Sequence, residues 1–447
     1  NSLPARAYDV KGRLVRIPSN FGVRQDGSLY VLTERDQVTE LPFNGELAKN
    51  PRWTTCPVCC FYDMITNPRY GAGDFINEDN ISWIDLIEIA KYCNELVEVG
   101  TGTEPRFALN TVIATQADAY SVIQDLASVF RGLVYWRADT IQLAADHGNL
   151  DKSIDLDPIH VFNNSNVVGG GFVYSGSSLK TRSTRVVVRY NDPDNFYKTN
   201  YVIVEDLNAI KKYGNQTRET IAFGCTSKTQ AQRMGKWILK TEELEGSTVA
   251  FSVGLEGLNV LPGQVFAVAD TMRQGARLSG RVIGATRRFV ITDSAISSPS
   301  GNNDKVTIVL PDGRVETRAV TSIVNKTIDV FPPFSEPPAD GAVFALTDDS
   351  VNNQKFRCLS VAEGEDGVYS ITGVEHNDSI YRVVESNETD LTFADVSIFD
   401  EKPLEPFGVK IEFFDVTQNL NRFKRIDVSW SKGIDAGGLA DPRTISF

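Results

Sequence analysis

The spacing of apolar positions changes period several times along the chain, and each change marks an element. Over residues 8–50 they come in short bursts, as in Tyr8-Asp9-Val10, Leu14-Val15-Arg16-Ile17 and Leu29-Tyr30-Val31-Leu32, which predicts strands separated by turns as far as Asn50-Pro51. Over residues 56–145 the period is helical. Phe61, Met64 and Ile65 share one face, and Asn67-Pro68 ends that helix, because a residue before proline is pushed out of the α region. Tyr70-Gly71-Ala72-Gly73 then reads as a flexible exit. Ser82 and Asp85 form a capping box for a second helix, which carries Trp83, Leu86, Ile87, Ala90 and Cys93 on one face and runs to about Val97. A third helix carries Ala119, Val122, Ile123, Leu126 and Phe130, with Gly132 placed for the left-handed residue that follows a helix. Residues 133–136 and 140–143 read as a hairpin, so the region is a small α/β domain.

From residue 146 the pattern is mostly β. Residues 185–190 (RVVVRY) form a strong strand, and Asn191-Asp192-Pro193-Asp194-Asn195 ends it. The exception is 227–244, where Ala231, Met234, Ile238 and Thr241 keep helical spacing. Behind that helix, Val249, Phe251 and Val253 alternate with polar or small neighbours, and Pro262-Gly263 turns into another strand, so the helix is expected to cover the wall these strands make. Residues 279–346 read as an inserted β-module whose Leu310-Pro311-Asp312-Gly313-Arg314 is a hairpin turn signal. Residues 386–402 are polar and charged, as in a linker. In the last stretch Ile426, Val428 and Trp430 alternate on one face, as a half-buried strand requires.

Length bounds the interpretation next. A chain of 447 residues holds two to four domains, and its 41% hydrophobic and 23% charged residues describe a folded protein. No run of eighteen apolar residues and no signal-peptide pattern occur, so no stable membrane insertion is expected. The chain begins without methionine and stops at Phe447 in mid-pattern, which is expected of a fragment. The formal charge of −13 argues against a partner held by phosphate contacts, though not against a duct through which DNA passes.

Candidate chemistry is sparse. Cys56, Cys59 and Cys60 form a CxxCC, but a closed zinc site needs four ligands and no second pair follows, so buried thiols at a helix start are expected rather than metal. The three histidines, His147, His160 and His376, are scattered. No GxSxG, HExxH or P-loop occurs, and Gly169-Gly170-Gly171 lacks the setting of a phosphate cradle. With 58 acidic residues, close pairs such as Asp155 with Asp157 and Asp192 with Asp194 are expected by abundance alone. No catalytic, cofactor-binding or metal residue is therefore assigned, no cofactor is expected, and the chain is expected not to be an enzyme.

Eight landmarks occur in a fixed order: VKG and VRIPSN within 10–20, NPRYG at 67–71, EPRF at 104–107, AFGCTS at 222–227, KTEELEGSTVAFSVGLEG at 240–257, PGQV at 262–265, FRCLSV at 356–361 and DGVYSITGVEH at 366–376. Together they resemble the tail-tip host-specificity protein J family of lambda-like phages across roughly residues 8–385. The resemblance implies an α+β, mainly β, multidomain tail-hub architecture with β-barrel domains. With the patterns above, the chain divides into a β-rich hub segment (1–55), an α/β domain (56–145), a barrel-type hub domain (146–385), the linker and 403–447, where Pro403, Pro406, residues 409–413 and the alternation at 426–430 resemble the opening of a fibronectin type III-like module, a β-hairpin appended to the barrel being the alternative. The resemblance further implies a structural protein of the virion, made in the bacterial cytoplasm and placed at the tail tip. There a homotrimer would close the tail tube, contact other tail proteins, pass DNA in transit and reach the host receptor through regions beyond this chain. The alternative is a tip adhesin or a polysaccharide-degrading enzyme, which would gather exposed aromatics and carboxylates in a polar cleft.

Overall fold

The computed structural model describes residues 10–34, 39–81, 83–100, 102–114, 118–137, 139–148, 158–176, 182–270, 278–296, 304–347, 354–385, 391–394, 407–418, 421–431 and 442–446. Two compact units divide the chain, Asn1–Phe393 and Ala394–Phe447. The protein is mainly β, with six helices among the described residues.

In the first unit, helix α1 (Pro57–Thr66) starts at a proline, whose missing N–H falls where a helix has no partner for it. It stops at Asn67, extended ahead of Pro68 as expected. Helix α2 (Trp83–Asn94) ends earlier than its pattern suggests. The Asn94 amide donates to Ala90 O at 2.8 Å and its oxygen accepts the Leu29 N–H at 2.7 Å, so Val97 falls instead in a hairpin of Leu96–Val99 with Gly102–Pro105. Ser82, of the expected capping box, lies outside the described residues. Helix α3 (Ala119–Ser128) has Asp118 as its cap and leads into the hairpin Gly132–Arg137 with Thr140–Ala145. The left-handed residue after it is Arg131 (φ 57°), not Gly132. Gly132 is small for a different reason: a Cβ there would lie 2.4 Å from the Phe130 ring.

Phe61, Ile65, Leu86, Cys93, Leu126 and Phe130 form the centre of this core, with Phe61 and Phe130 edge to face at 6.4 Å. The N-terminal bursts bury Val15, Ile17 and Leu29 in the same core. Among the described residues they make one regular pair, Phe21–Val23 with Leu29–Val31, and otherwise isolated bridges such as Val15 to Arg52, so the expected run of strands is there reduced to an extended cover over the helices.

Two sheets follow. One has the order Thr217–Ile221, Arg185–Asp192, Lys198–Asp206, Leu391–Ala394. Helix α4 (Leu207–Tyr213) leaves its third strand, and helix α5 (Lys228–Leu244) lies on its face. Ala231, Ile238 and Leu239 pack on Val186, Val188, Val202 and Val204, and Gly235 allows the approach, since a Cβ there would meet Val204 at 2.5 Å. The expectation that α5 covers the wall built from residues 248–266 is therefore corrected. Val249, Phe251 and Val253 turn inward to an aromatic core of their own.

That core belongs to a six-stranded sheet ordered Val161–Asn163, Val265–Ala269, Gln354–Glu363, Tyr369–Glu375, Ser247–Val253, Val173–Gly176. The sheet curls: Phe162 of its first strand meets Phe251 of its fifth at 4.8 Å, and Val167 bridges to Val253. Helix α6 (Ser379–Glu385) follows the fourth strand and packs on α5. Between Val265–Ala269 and its neighbour Gln354–Glu363 the chain makes a closed six-stranded barrel from Ser279–Ala285 to Val343–Thr347, filled by Val282, Ile308, Ile328, Phe334 and Phe344. Asn163 joins barrel to sheet, donating to Gly280 O and Phe344 O at 3.3 Å each.

The second unit contains Phe407–Gln418, Asn421–Ser431 and Pro442–Ser446 in one antiparallel sheet. Its register sets Ile411 opposite Val428 and Phe413 opposite Ile426. Ile411 and Phe413 are exposed, at 54% and 72%. The side chain of Trp430 lies outside the described residues, as does most of 386–402.

Candidate functional site

The landmark residues of the first unit gather where its bodies meet. The first gathering is the NPRYG turn, which is not a flexible exit. Gly71 N–H donates to Asn67 O, Ala72 N–H to Met64 O and Gly73 N–H to Asn67 O, at 3.0 to 3.2 Å, so the segment wraps back on the end of α1. A Cβ on Gly71 would lie 1.7 Å from Met64 O and one on Gly73 2.3 Å from Thr66 O. Tyr70 donates its hydroxyl to Asp63, receives the Asn67 amide at 2.9 Å, and is covered by the Arg13 guanidinium 3.7 Å from its ring.

The second gathering joins EPRF to AFGCTS. Ser227 caps α5 through Gln230 N–H and donates to Glu104 at 2.7 Å, Thr229 donates to the same carboxylate at 2.6 Å, and Arg233 donates to it from the next turn. Arg233 also reaches Arg106 O at 2.8 Å, and Gln230 exchanges two hydrogen bonds with the Ala108 backbone. Gly224, at φ 59°, presents its carbonyl to Asn110 N–H. Arg106 has a side chain only 4% exposed; it pairs with Glu95 at 2.7 Å and with Glu385 of α6.

The third gathering brings PGQV, FRCLSV and DGVYSITGVEH to residues 146–147. Arg357 donates to Gly263 O at 2.7 Å, to the Tyr381 hydroxyl at 3.0 Å and to His147 O at 3.4 Å, and pairs with Asp146 at 3.0 Å. Its NH2 also lies 3.3 Å from His376 Nδ1, while His376 Nε2 faces Asp378 at 3.1 Å. Lys355 completes the set on Asp378 at 2.8 Å. Burial opposes the Asp146 charge, yet Arg357 and the Tyr381 hydroxyl hold its carboxyl below the usual range. Burial lowers His147 and pushes Glu245 up to about 7.

One carboxyl held low beside one held high is the pattern of an acid–base pair. Here Asp146 is spent on Arg357 and Tyr381, and Glu245 on the Asn377 N–H, so both act as cross-links. The histidines read as scattered do not all stay so: His147 and His376 meet at Arg357, and His160 lies 3.3 Å from Glu256 on the six-stranded sheet. Within one strand, Arg357 falls on the side opposite Phe356 and Cys358, and nothing in that alternation announces that α6 will cover it.

Of the cysteines, Cys56 precedes α1 and Cys59 and Cys60 lie in its first turn, with Cys93 of α2 in the same core. Cys56 Sγ accepts the Asn94 amide at 3.1 Å. Burial pushes the Cys60 thiol up to about 12, which disfavours the thiolate that metal binding needs. Among the described residues no three His, Cys, Asp or Glu side chains are placed to hold a metal ion. Asp192 and Asp194 form a turn, Asp194 N–H donating to Asp192, and Asp155 and Asp157 lie outside the described residues. A small cavity between α3 and α5 is lined by Phe107, Val129, Met234 and Trp237, with Arg131 the charged group. Among the described residues no helix is long and apolar enough to cross a membrane.

With that geometry in view, comparison with known proteins gives first a class: residues 118–284 match the family described as Putative phage tail protein. The particular likeness is to Tip attachment protein J of Escherichia phage SECphi27, 29% identical over 99% of this chain and 37% of the relative. A second Tip attachment protein J, of Escherichia phage SECphi4, is 30% identical over 90% of this chain and 34% of the relative. The resemblance to the protein J family read from the eight landmarks is borne out by these two proteins. The chain spans about a third of the length of either relative. Among solved structures, it is similar to a chain of the virion of a native gene transfer agent particle (TM-score 0.34, 9% identity, 60% of this chain and 41% of that one). It is also similar to the tail protein from Neisseria meningitidis MC58 (TM-score 0.30, 11% identity, 61% and 60%).

Proposed function

We propose that this chain is a structural part of a phage tail tip, a hub that closes the tail tube and connects it to the distal receptor-binding part, and so serves host attachment and genome delivery. The observation that carries this reading is the likeness to two tip attachment proteins over 90% or more of the chain. The placement of the landmarks supports it: Ser227 of AFGCTS holds Glu104 of EPRF, Glu245 of KTEELEG receives the Asn377 N–H, and Arg357 of FRCLSV holds Asp146 beyond its own sheet, so these landmarks join one body to the next. Hydrolysis is not part of the proposed role: Asp146 and Glu245, the carboxyls held low and high in the Arg357 cluster, are engaged as cross-links.

The assembled form is a homotrimer around the tail axis, with residues 146–385 forming or flanking the ring, and with other tail proteins and DNA in transit as its contacts. The division at 55, 145, 385 and 402 stands as the working organisation, with 403–447 as the opening of a fibronectin type III-like sandwich. Labelled antibody to this chain should decorate purified particles at the tail tip, and averaged images of that tip should show three copies about the axis. Decoration along the tail shaft, or a single axial copy, overturns the respective half of the proposal. Release of sugar from host polysaccharide by the purified chain, lost on replacing one carboxylate, would favour the enzyme alternative.

A further inference from the structure

Glu245 has surroundings that suit its charge poorly. It follows α5 with a side chain 8% exposed, and it receives one hydrogen bond, from Asn377 N–H at 3.0 Å. The groups facing it come from five segments. Asp146 follows the strand Thr140–Ala145; Arg357 lies on Gln354–Glu363; Glu375 ends Tyr369–Glu375; His376 follows it; and Tyr381 comes from α6, while His147, Lys355 and Asp378 contact these groups in turn. The cations are engaged elsewhere, Arg357 with Asp146 and Lys355 with Asp378. His376 Nδ1 is 3.8 Å from the Glu245 carboxylate, at the edge of ion-pair distance and beyond hydrogen-bond reach. An ionised carboxylate held in such a place is resolved either by a proton or by moving the segment that encloses it.

That segment is the one leading into α6. Asn377 caps the turn by accepting Ser379 N–H, and α6 is seated by the buried Ile380, Tyr381 and Val384 and by the Glu385 pair with Arg106. We propose that residues 376–385 are a pH-gated latch, closed on the body while Glu245 carries a proton and opening more readily once it ionises. The sign follows from burial, which raises the carboxyl from its ordinary 4.5 to about 7 when the latch is closed. The closed form therefore holds a proton that the open form releases between those values. Its advantage is complete below about 4.5, falls as pH rises and is gone above about 7.

Amide hydrogen exchange of the whole chain, corrected for the intrinsic pH dependence, tests this. Protection of residues 380–385 should fall by about tenfold or more between pH 5 and pH 8, while α1 shows no matching change. Glu245→Gln keeps an acceptor for Asn377 and should flatten the response, whereas Glu375→Gln, a neighbouring carboxylate, should leave it. Protection independent of pH in the unaltered protein, a fall that survives Glu245→Gln, or one abolished by Glu375→Gln overturns the latch.

Discussion

Gly71 shows how a residue can be named correctly from the sequence and still be misread. Glycine after NPRY suggested freedom, but its φ is not in the left-handed region; it is required because the backbone passes Met64 O too closely for any Cβ. Gly71→Ala should destabilise the protein by on the order of 3 kcal/mol, since the clash is with backbone rather than a yielding side chain. An unchanged urea midpoint would mean that the wrap is loose. Gly132 and Arg131 teach the same lesson in reverse. The left-handed position was foreseen one residue late, because Gly132 is needed against Phe130 and Arg131 takes the unusual backbone instead.

At the level of elements, pattern reading worked where one segment contains its own signal. Pro68 after α1 and the Pro311-Asp312-Gly313 turn are local chemistry and stand where they were expected, while Ser227, read as the first residue of its helix, is the cap before Lys228–Leu244. It failed where the answer depended on a distant partner. Helix α2 stops because Asn94 is claimed by Leu29, and α5 chooses the sheet of Arg185–Asp192 over the strands that follow it in sequence. The clamp at the start of α5 was legible only as two unrelated motifs, EPRF and AFGCTS, since no periodicity links residues over a hundred positions apart. Removing Arg233 should therefore cost about 3 kcal/mol or more, because Glu104 would be left without its cation in a largely buried site. Arg233→Lys should recover only part of that, as one ammonium cannot reproduce the fork shared between Glu104 and Arg106 O. Equal stability of the lysine variant and the unaltered protein in urea would contradict this.

For the molecule as a whole, the mainly β class was readable from alternation and turn residues, and the kinship from the order of landmarks. The joining cluster around Arg357 was not, because its members come from separate parts of the chain and each looks like an ordinary surface residue in its own element. In the second unit, Ile411 and Phe413 are exposed on a sheet with three strands among the described residues, whereas a fibronectin-like sandwich has about seven strands. In a longer form carrying sequence after Phe447, Trp430 should be shielded, with blue-shifted emission that Trp430→Ala removes; red-shifted emission in that form would contradict the sandwich. The six-stranded barrel carries a different implication. The chain leaves for it at Ala269 and returns at Gln354, the two ends of neighbouring antiparallel strands, so their ladder closes whether the excursion is long or short. Such a graft point is one at which evolution can swap, enlarge or delete a whole cassette while the host ladder persists, with the Asn163 contacts to the barrel as the part that must be remade, and related phages are expected to differ there in cargo while sharing the strands on either side.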